Sequence, residues 1–248
     1  PGIQDVINQL AADNANGVTR SLDDLQGLVA QASAQVPNAP ANAVTLLFSG
    51  TFGTVNGITQ VHTGAVADAI AGASSGQVLT ISQTDVAALL DSASFRQALV
   101  NSVGEVQAGV ILDGVDINGN RISSFSMWDE ASGRFAAAAQ GQVFTLTPFA
   151  AGDRIFSQTE LETLLNNPNV THIDGVSRTD LLRLNDELLQ SGLSPDEAFS
   201  RVRATVIVAS MDNAARLQFE LDGNGRLAID SQGRISVGTQ AFFDGTSV

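Results

Sequence analysis

Two short stretches hold the residue types from which chemistry could be built. Around the only tryptophan the chain reads Phe125-Ser-Met-Trp128-Asp-Glu-Ala-Ser132-Gly-Arg134-Phe135-Ala136. Downstream comes Arg154-Ile-Phe156-Ser-Gln-Thr-Glu160-Leu. Trp128, Ser132 and Phe135 fall at i, i+4 and i+7 and so share one face of a helix. A carboxylate such as Glu160 can stabilise a cationic centre. An indole can stack on a flat cation, worth about 1–2 kcal/mol when desolvated. Each also has a plainer use. Ser157-Gln-Thr-Glu160 before an apolar run is a capping-box pattern, in which the glutamate would satisfy only a backbone N–H. A lone tryptophan is more often part of a core than a binding wall.

These residues must be positioned by the elements around them. Residues 1–35 read as an amphipathic helical stretch broken near Asp13–Gly17, followed by a two-proline linker over 36–43. Helical runs are predicted at Val61–Ala73, Gln83–Leu90, Phe95–Val103, Trp128 to about Gln140, Ser157–Asn166, Asp180–Gln190 and Ser194–Arg203. The last opens on Ser194-Pro-Asp-Glu197, a capping box with proline at the first helical position. Residues 104–126 read as loop and hairpin. Short apolar segments at Val44–Leu47, Val78–Ile81, Val143–Leu146 and Ala204–Ala209 read as strands, the last buried on both faces. The fold expected is α+β, α/β-like in that helices enclose a small, mainly parallel sheet, with any cleft at the carboxyl ends of its strands. A β-rich tail follows, because Leu217 to Val237 alternates around Asp222-Gly-Asn224-Gly. The segmentation expected along the chain is 1–43, 44–210 and 211–248.

Composition removes several kinds of chemistry. The 248 residues carry a net charge of −14, and every one of the 12 basic residues is arginine. Nucleic acid is a poor partner for that balance, since its backbone needs clustered cations. Without lysine there is no Schiff base and no P-loop lysine. Without cysteine there are no disulfides, no thiolate nucleophile and no Cys-type zinc site. His62 and His172 have no partners at ligand spacing, and the Asp116-Ile-Asn118-Gly-Asn120 stretch lacks the later ligands of a calcium loop. No apolar run reaches the ~18 residues of a membrane span.

The two motifs together resemble the ADP-ribosyl cyclase and NAD glycohydrolase family. There a Trp-x-x-x-Ser-x-Arg-Phe-Ala helix supplies the aromatic wall and ribose contact of the NAD site, and a Phe-x-x-x-Glu segment delivers the catalytic carboxylate. Trp128, Ser132, Arg134, Phe135, Ala136, Phe156 and Glu160 match in order. Leu46-Leu47-Phe48-Ser49 is similar to the family's Leu-Leu-Trp-Ser segment, with phenylalanine as the second wall. Gly50 stands where the family has a phosphate-binding arginine, so phosphate recognition passes to Ser49, backbone N–H groups, Arg154 or Arg134. Asp91 matches one of two acidic residues of a further segment, and Ser82 replaces the glutamate that biases cyclisation against hydrolysis. The resemblance covers roughly residues 44–210.

It implies an enzyme that takes NAD as substrate, needs no cofactor or metal, and uses Glu160 and Trp128 in catalysis. Phe48, Ser49, Asp91, Ser132, Arg134 and Phe156 would contact substrate. Phe48 and Trp128 would sandwich the pyridinium with rings about 7 Å apart, two stacking gaps. The animal members are disulfide-rich, so a cysteine-free chain fits a bacterial version. Ala228-Ile-Asp-Ser-Gln-Gly-Arg-Ile-Ser-Val237 resembles a step of the cadherin-like repeats in giant secreted bacterial proteins. With Pro1 as first residue, this suggests a toxin module within a longer exported protein, having an immunity protein as partner. The alternative is a non-catalytic structural or binding module of a giant adhesin, which Gly50 and the Phe48 exchange would fit as traces of a decayed site.

Overall fold

A computed structural model describes residues 3–18, 20–48, 51–52, 61–74, 76–114, 126–146, 155–215, 218–219 and 237–238. Within them the chain forms two compact units that interleave in sequence. One comprises residues 1–37 and 81–138, the other 38–80 and 139–248.

The first unit is helical throughout its described residues. Helix α1 (Ile3–Ala15) buries Val6, Ile7 and Leu10 at helical spacing. After the expected break comes α2 (Leu22–Val29), started by a capping box in which Ser21 and Asp24 satisfy each other's backbone N–H. The chain then passes into the second unit and returns at residue 81. A 3₁₀ turn (Ile81–Gln83) leads to α4 (Asp85–Asp91), capped by Thr84, and α5 (Ala93–Val103), capped by Ser92. Gly104, at φ +84°, turns the chain into α6 (Glu105–Asp113). This helix lies where the sequence reads as loop and hairpin. Its glycine-bounded, nine-residue span carries no clear apolar stripe, and it is held by burying Ala108, Ile111 and Leu112. Helix α7 (Met127–Ala138) is the predicted tryptophan helix. It opens on a second box: Ser126 Oγ and N donate to Asp129 Oδ2 at 2.8 and 2.6 Å, and Asp129 N donates back at 3.3 Å.

The second unit holds the sheet. Strand β1 (Val44–Phe48) pairs in parallel with β4 (Val78–Leu79) on one side and β5 (Gly141–Leu146) on the other. The short pair β2 (Thr51–Phe52) and β3 (Val61–His62) precedes α3 (Thr63–Ala73), which packs on β1. Beyond β5 lies β6 (Val170–Ile173), parallel to it, and then β7 (Val176–Ser177), antiparallel. The order is therefore β4-β1-β5-β6-β7, mainly parallel as expected. Leu46, Val78 and Leu146 from the strands meet Val66, Ala67 and Ile70 from α3, with Phe48 and Phe144 against them. The β6–β7 hairpin escaped the sequence reading. Its signal was Asp174-Gly175, whose φ values of +51° and +82° are those of a two-residue hairpin turn.

Two strand expectations need correction. Val78–Ile81 is a strand only as far as Leu79, because Ile81 begins the 3₁₀ turn. Ala204–Ala209 is not a strand. It lies inside α10 (Pro195–Ala215), which follows α8 (Leu161–Asn166) and α9 (Arg178–Gln190). The predicted Ser194 box forms, with Ser194 N and Oγ donating to Glu197 at 3.0 and 2.7 Å, and it propagates one long helix. Ala198, Val202, Val206 and Ser210 are buried four residues apart, whereas Val208 is 60% exposed. Period four beat the apolar run. Of the β-rich tail, Gln218–Phe219 pairs antiparallel with Val237–Gly238, and the rest lies outside the described residues.

Candidate functional site

Helix α3 carries the chain from β1 to β4 on one side of the sheet, and the helical unit intervenes before β5 starts on the other. The strand order thus reverses at the β1/β5 pair, where Phe48 and Leu146 are last in register. In open parallel sheets that point, at the carboxyl ends, is where ligands bind. Phe48 stands there, half-buried, with its ring against the start of α3: a Cβ on Gly64 would come within 3.0 Å of Phe48 Cε2. Ser49 and Gly50, which follow, lie outside the described residues, as does Arg154.

The chain leaving β5 leads to Glu160. Residues Phe156–Glu160 form a π-type turn continuous with α8, a rare geometry that recurs at functional sites. Phe156 is wholly buried and Glu160 is 3% exposed. Ser157 is not the N-cap that the capping-box pattern called for. The helical turn begins before Ser157, so that residue lies inside it rather than at an extended N-cap, and Glu160 has helical φ/ψ of −71° and −49°. A carboxylate this deep is costly unless hydrogen-bonded or paired.

Trp128, Ser132 and Arg134 belong to the helical unit. On α7, Trp128 is half-buried, Ser132 and Phe135 are buried, and Ala136 is wholly so. Arg134 reaches back to α2: its terminal nitrogens donate to the carbonyls of Val29, Ala30 and Ala32 at 3.2, 2.9 and 2.6 Å. A guanidinium on a helix's last carbonyls is the favourable sign for the dipole. A phosphate contact by Arg134 would have to use the N–H groups left over. Burial holds the neighbouring Glu130 carboxyl above its usual range, against the pull of Arg134. Asp91 ends α4 exposed to solvent, 4.0 Å from Arg96. Arg96 also reaches Asp113 at 3.7 Å, and burial raises Asp113 despite it. Ser82 lies exposed in the 3₁₀ turn. Within the sheet unit, then, Phe48 ends β1 and Glu160 comes after β5, the two strands of the switch point. Trp128, Ser132, Arg134 and Asp91 belong to the other unit.

No known family model, curated protein or solved structure matches this chain. The reading of the site therefore rests on its own residues.

Sequence reasoning missed a buried polar cluster at the carboxyl ends of β5 and β6. Thr145, Asp174 and Ser210 are all inaccessible or nearly so. Thr145 N and Oγ1 donate to the two Asp174 oxygens at 3.0 and 2.7 Å, and Ser210 Oγ donates to the Thr145 carbonyl at 2.9 Å. The available signals were the Asp-Gly dipeptide and one serine in an otherwise apolar helical stripe.

Among the described residues, no helix is long and apolar enough to cross a membrane.

Proposed function

We propose that this chain cleaves NAD at the bond between nicotinamide and ribose, with Glu160 as the carboxylate facing the developing charge. The observation that carries the reading is Glu160 itself: a carboxylate buried in a π-type turn that continues into α8, within the sheet unit. Nicotinamide departs as a neutral ring from a pyridinium, so no general acid is required. The transition state is oxocarbenium-like, as in glycosidases, and one well-placed carboxylate lowers its energy. Phe156 anchors the turn by its burial, which fixes where Glu160 can point. Phe48, at the end of β1, supplies an aromatic face. Trp128 takes the pyridinium-stacking role that the family resemblance assigns it, and the half-exposed state of its side chain is compatible with that.

Water completes the reaction, giving ADP-ribose. Cyclisation would need the adenine held over the anomeric carbon with water excluded. The chain has no tyrosine to clamp it, and at position 82 it has a small serine. Removal of NAD suits a toxin delivered as part of an exported protein, and such a producer needs a cognate immunity protein.

Incubation of the whole chain with NAD at neutral pH, followed by chromatography, is the test. Nicotinamide and ADP-ribose in equal amounts are expected. Cyclic ADP-ribose as the major species would overturn the hydrolase assignment. No nicotinamide at all would overturn the enzyme reading and leave the adhesin-module alternative.

A further inference from the structure

The π-type turn Phe156–Glu160 and α8 form one helical run. The Leu161 N–H donates to the Phe156 carbonyl across the turn, and Thr163 Oγ1 donates at 2.7 Å to the carbonyl of Thr159, the residue before Glu160. Whatever fixes α8 therefore fixes the turn. Five and six residues long, turn and helix together fall below the ~12 residues at which an isolated helix is even marginal, so outside contacts must place the run. Buried Leu161, Leu164 and Leu165 settle which of its faces turns inward. Apolar contact is non-directional, however, and resists sliding and tilting only weakly.

Two side chains supply direction at the far end of the run. Arg178, the half-buried first residue of α9, donates from Nη1 to the Leu165 carbonyl at 2.8 Å and from Nε to the Val170 carbonyl at 3.1 Å. One guanidinium thus ties the end of α8 to the start of β6. Buried Asn167 does the same towards β5: its Nδ2 donates to the Ala139 carbonyl at 2.9 Å, and its Oδ1 accepts from Asn169 N at 3.0 Å. The Asn169 carbonyl in turn accepts from Gly141 N, at the first residue of β5, at 2.8 Å. All these groups belong to the sheet unit.

Helix termination does not require Arg178. The Asn167 N–H already closes on the Leu164 carbonyl at 3.2 Å, and Asn167 leaves the helix in an extended conformation. The arginine adds a bond that binds the finished helix to a second element. A planar fork can reach carbonyls of two elements at once, where an ammonium is a point donor. We infer that Arg178, with Asn167 beside it, is a positioning residue that holds the helical run at one place along its axis and so presents Glu160 in one geometry. The inference rests on Glu160 being the catalytic carboxylate. Leu165 and Glu160 are roughly 7 Å apart along a helix, so a slide or tilt at the clamp is felt at the carboxylate. A displacement of about 1 Å at a reacting group can cost about a hundredfold in rate.

Arg178→Met in the full chain keeps the bulk of the stem and loses both donors. It is read by steady-state kinetics on NAD and by amide hydrogen exchange. The expected result is a fall in kcat of about tenfold or more, with KM within about twofold of wild type. Exchange should quicken over residues 156–166 and stay as it was over 198–210 of α10. Should that variant fail to fold, Arg178→Lys replaces it. The ammonium keeps the charge but not the fork, and the same split is expected at a smaller size, about threefold. An unchanged kcat in a folded variant of an active enzyme overturns the inference. So does a loss of kcat with exchange raised equally in α10, which would make Arg178 a residue of general stability. If the wild-type chain releases no nicotinamide, the proposed function fails by itself, and exchange alone decides: faster opening confined to 156–166 supports the clamp, and unaltered or general exchange ends it.

Discussion

Glu160 and Trp128 are separable by the way each should fail when changed. Trp128→Ala removes a stacking face and should raise KM and lower kcat together. Trp128→Phe keeps a ring and should retain a substantial part of the activity. Equal losses in both variants, measured at saturating NAD, would show that the indole is structural. Arg134 makes a contrasting case. Its guanidinium closes the carbonyl end of α2, so Arg134→Met should cost on the order of 1–2 kcal/mol through orphaned carbonyls. Thermal unfolding would show this as a drop of several degrees. At this scale the sequence was legible only where partners are local. The carbonyls that Arg134 meets lie more than a hundred residues away, and no spacing rule reaches that far. Glu160 stood out in the sequence beside a capping pattern, and the burial and helical dihedrals of its turn could not be read from the spacing.

Elements were legible where a start signal and a period agreed. Ser194-Pro-Asp-Glu197 announced α10, and the box formed. The Ser126–Asp129 box was missed because its third residue is aspartate, the shorter acid. The strand assigned to Ala204–Ala209 failed because a run of small and β-branched residues has no period of its own, and the helix propagating from Ser194 imposed one. Two substitutions expose the difference. Val206 and Val208 would share a face in a strand, but in α10 one is buried and the other exposed. Val206→Asp should therefore unfold or severely destabilise the chain, and Val208→Asp should leave stability within about 0.5 kcal/mol. Equal damage from both, by thermal denaturation, would contradict the helix. The cap makes a pH prediction. Hydrogen bonds from the Ser194 hydroxyl and backbone hold the Glu197 carboxyl below its usual 4.5. A lowered acid contributes stability above its unfolded value and loses it as pH falls through its folded one. The melting difference between wild type and Glu197→Ala should accordingly be full at pH 6 and shrink below about 4.5.

At the scale of the molecule, the units are not stretches of chain. A two-proline linker and a change in composition suggested cuts near 43 and 210. Yet α1 packs on α4 and α5, so residues 1–37 complete a helical unit whose remainder lies between β4 and β5. Composition cannot show this, since an interleaved unit leaves no break where the chain returns to it. A fragment of residues 44–210 should then expose the faces of α4 and α5 on which α1 packs, and should bind hydrophobic dyes or precipitate where the full chain stays soluble. A cooperative, dye-silent fragment, followed by calorimetry, would show that the helical unit does not need α1.

Nicotinamide release by the wild-type chain and by Glu160→Gln, measured side by side on the same NAD concentration with matched melting temperatures, bears most directly on the whole reading. Glutamine keeps the size of the side chain and removes the charge. The wild type should release nicotinamide steadily, and the variant should do so at least about 10²-fold more slowly, the scale of losing one charge-stabilising group. Equal rates would make Glu160 a buried structural acid, and no release from either would remove NAD cleavage from this protein.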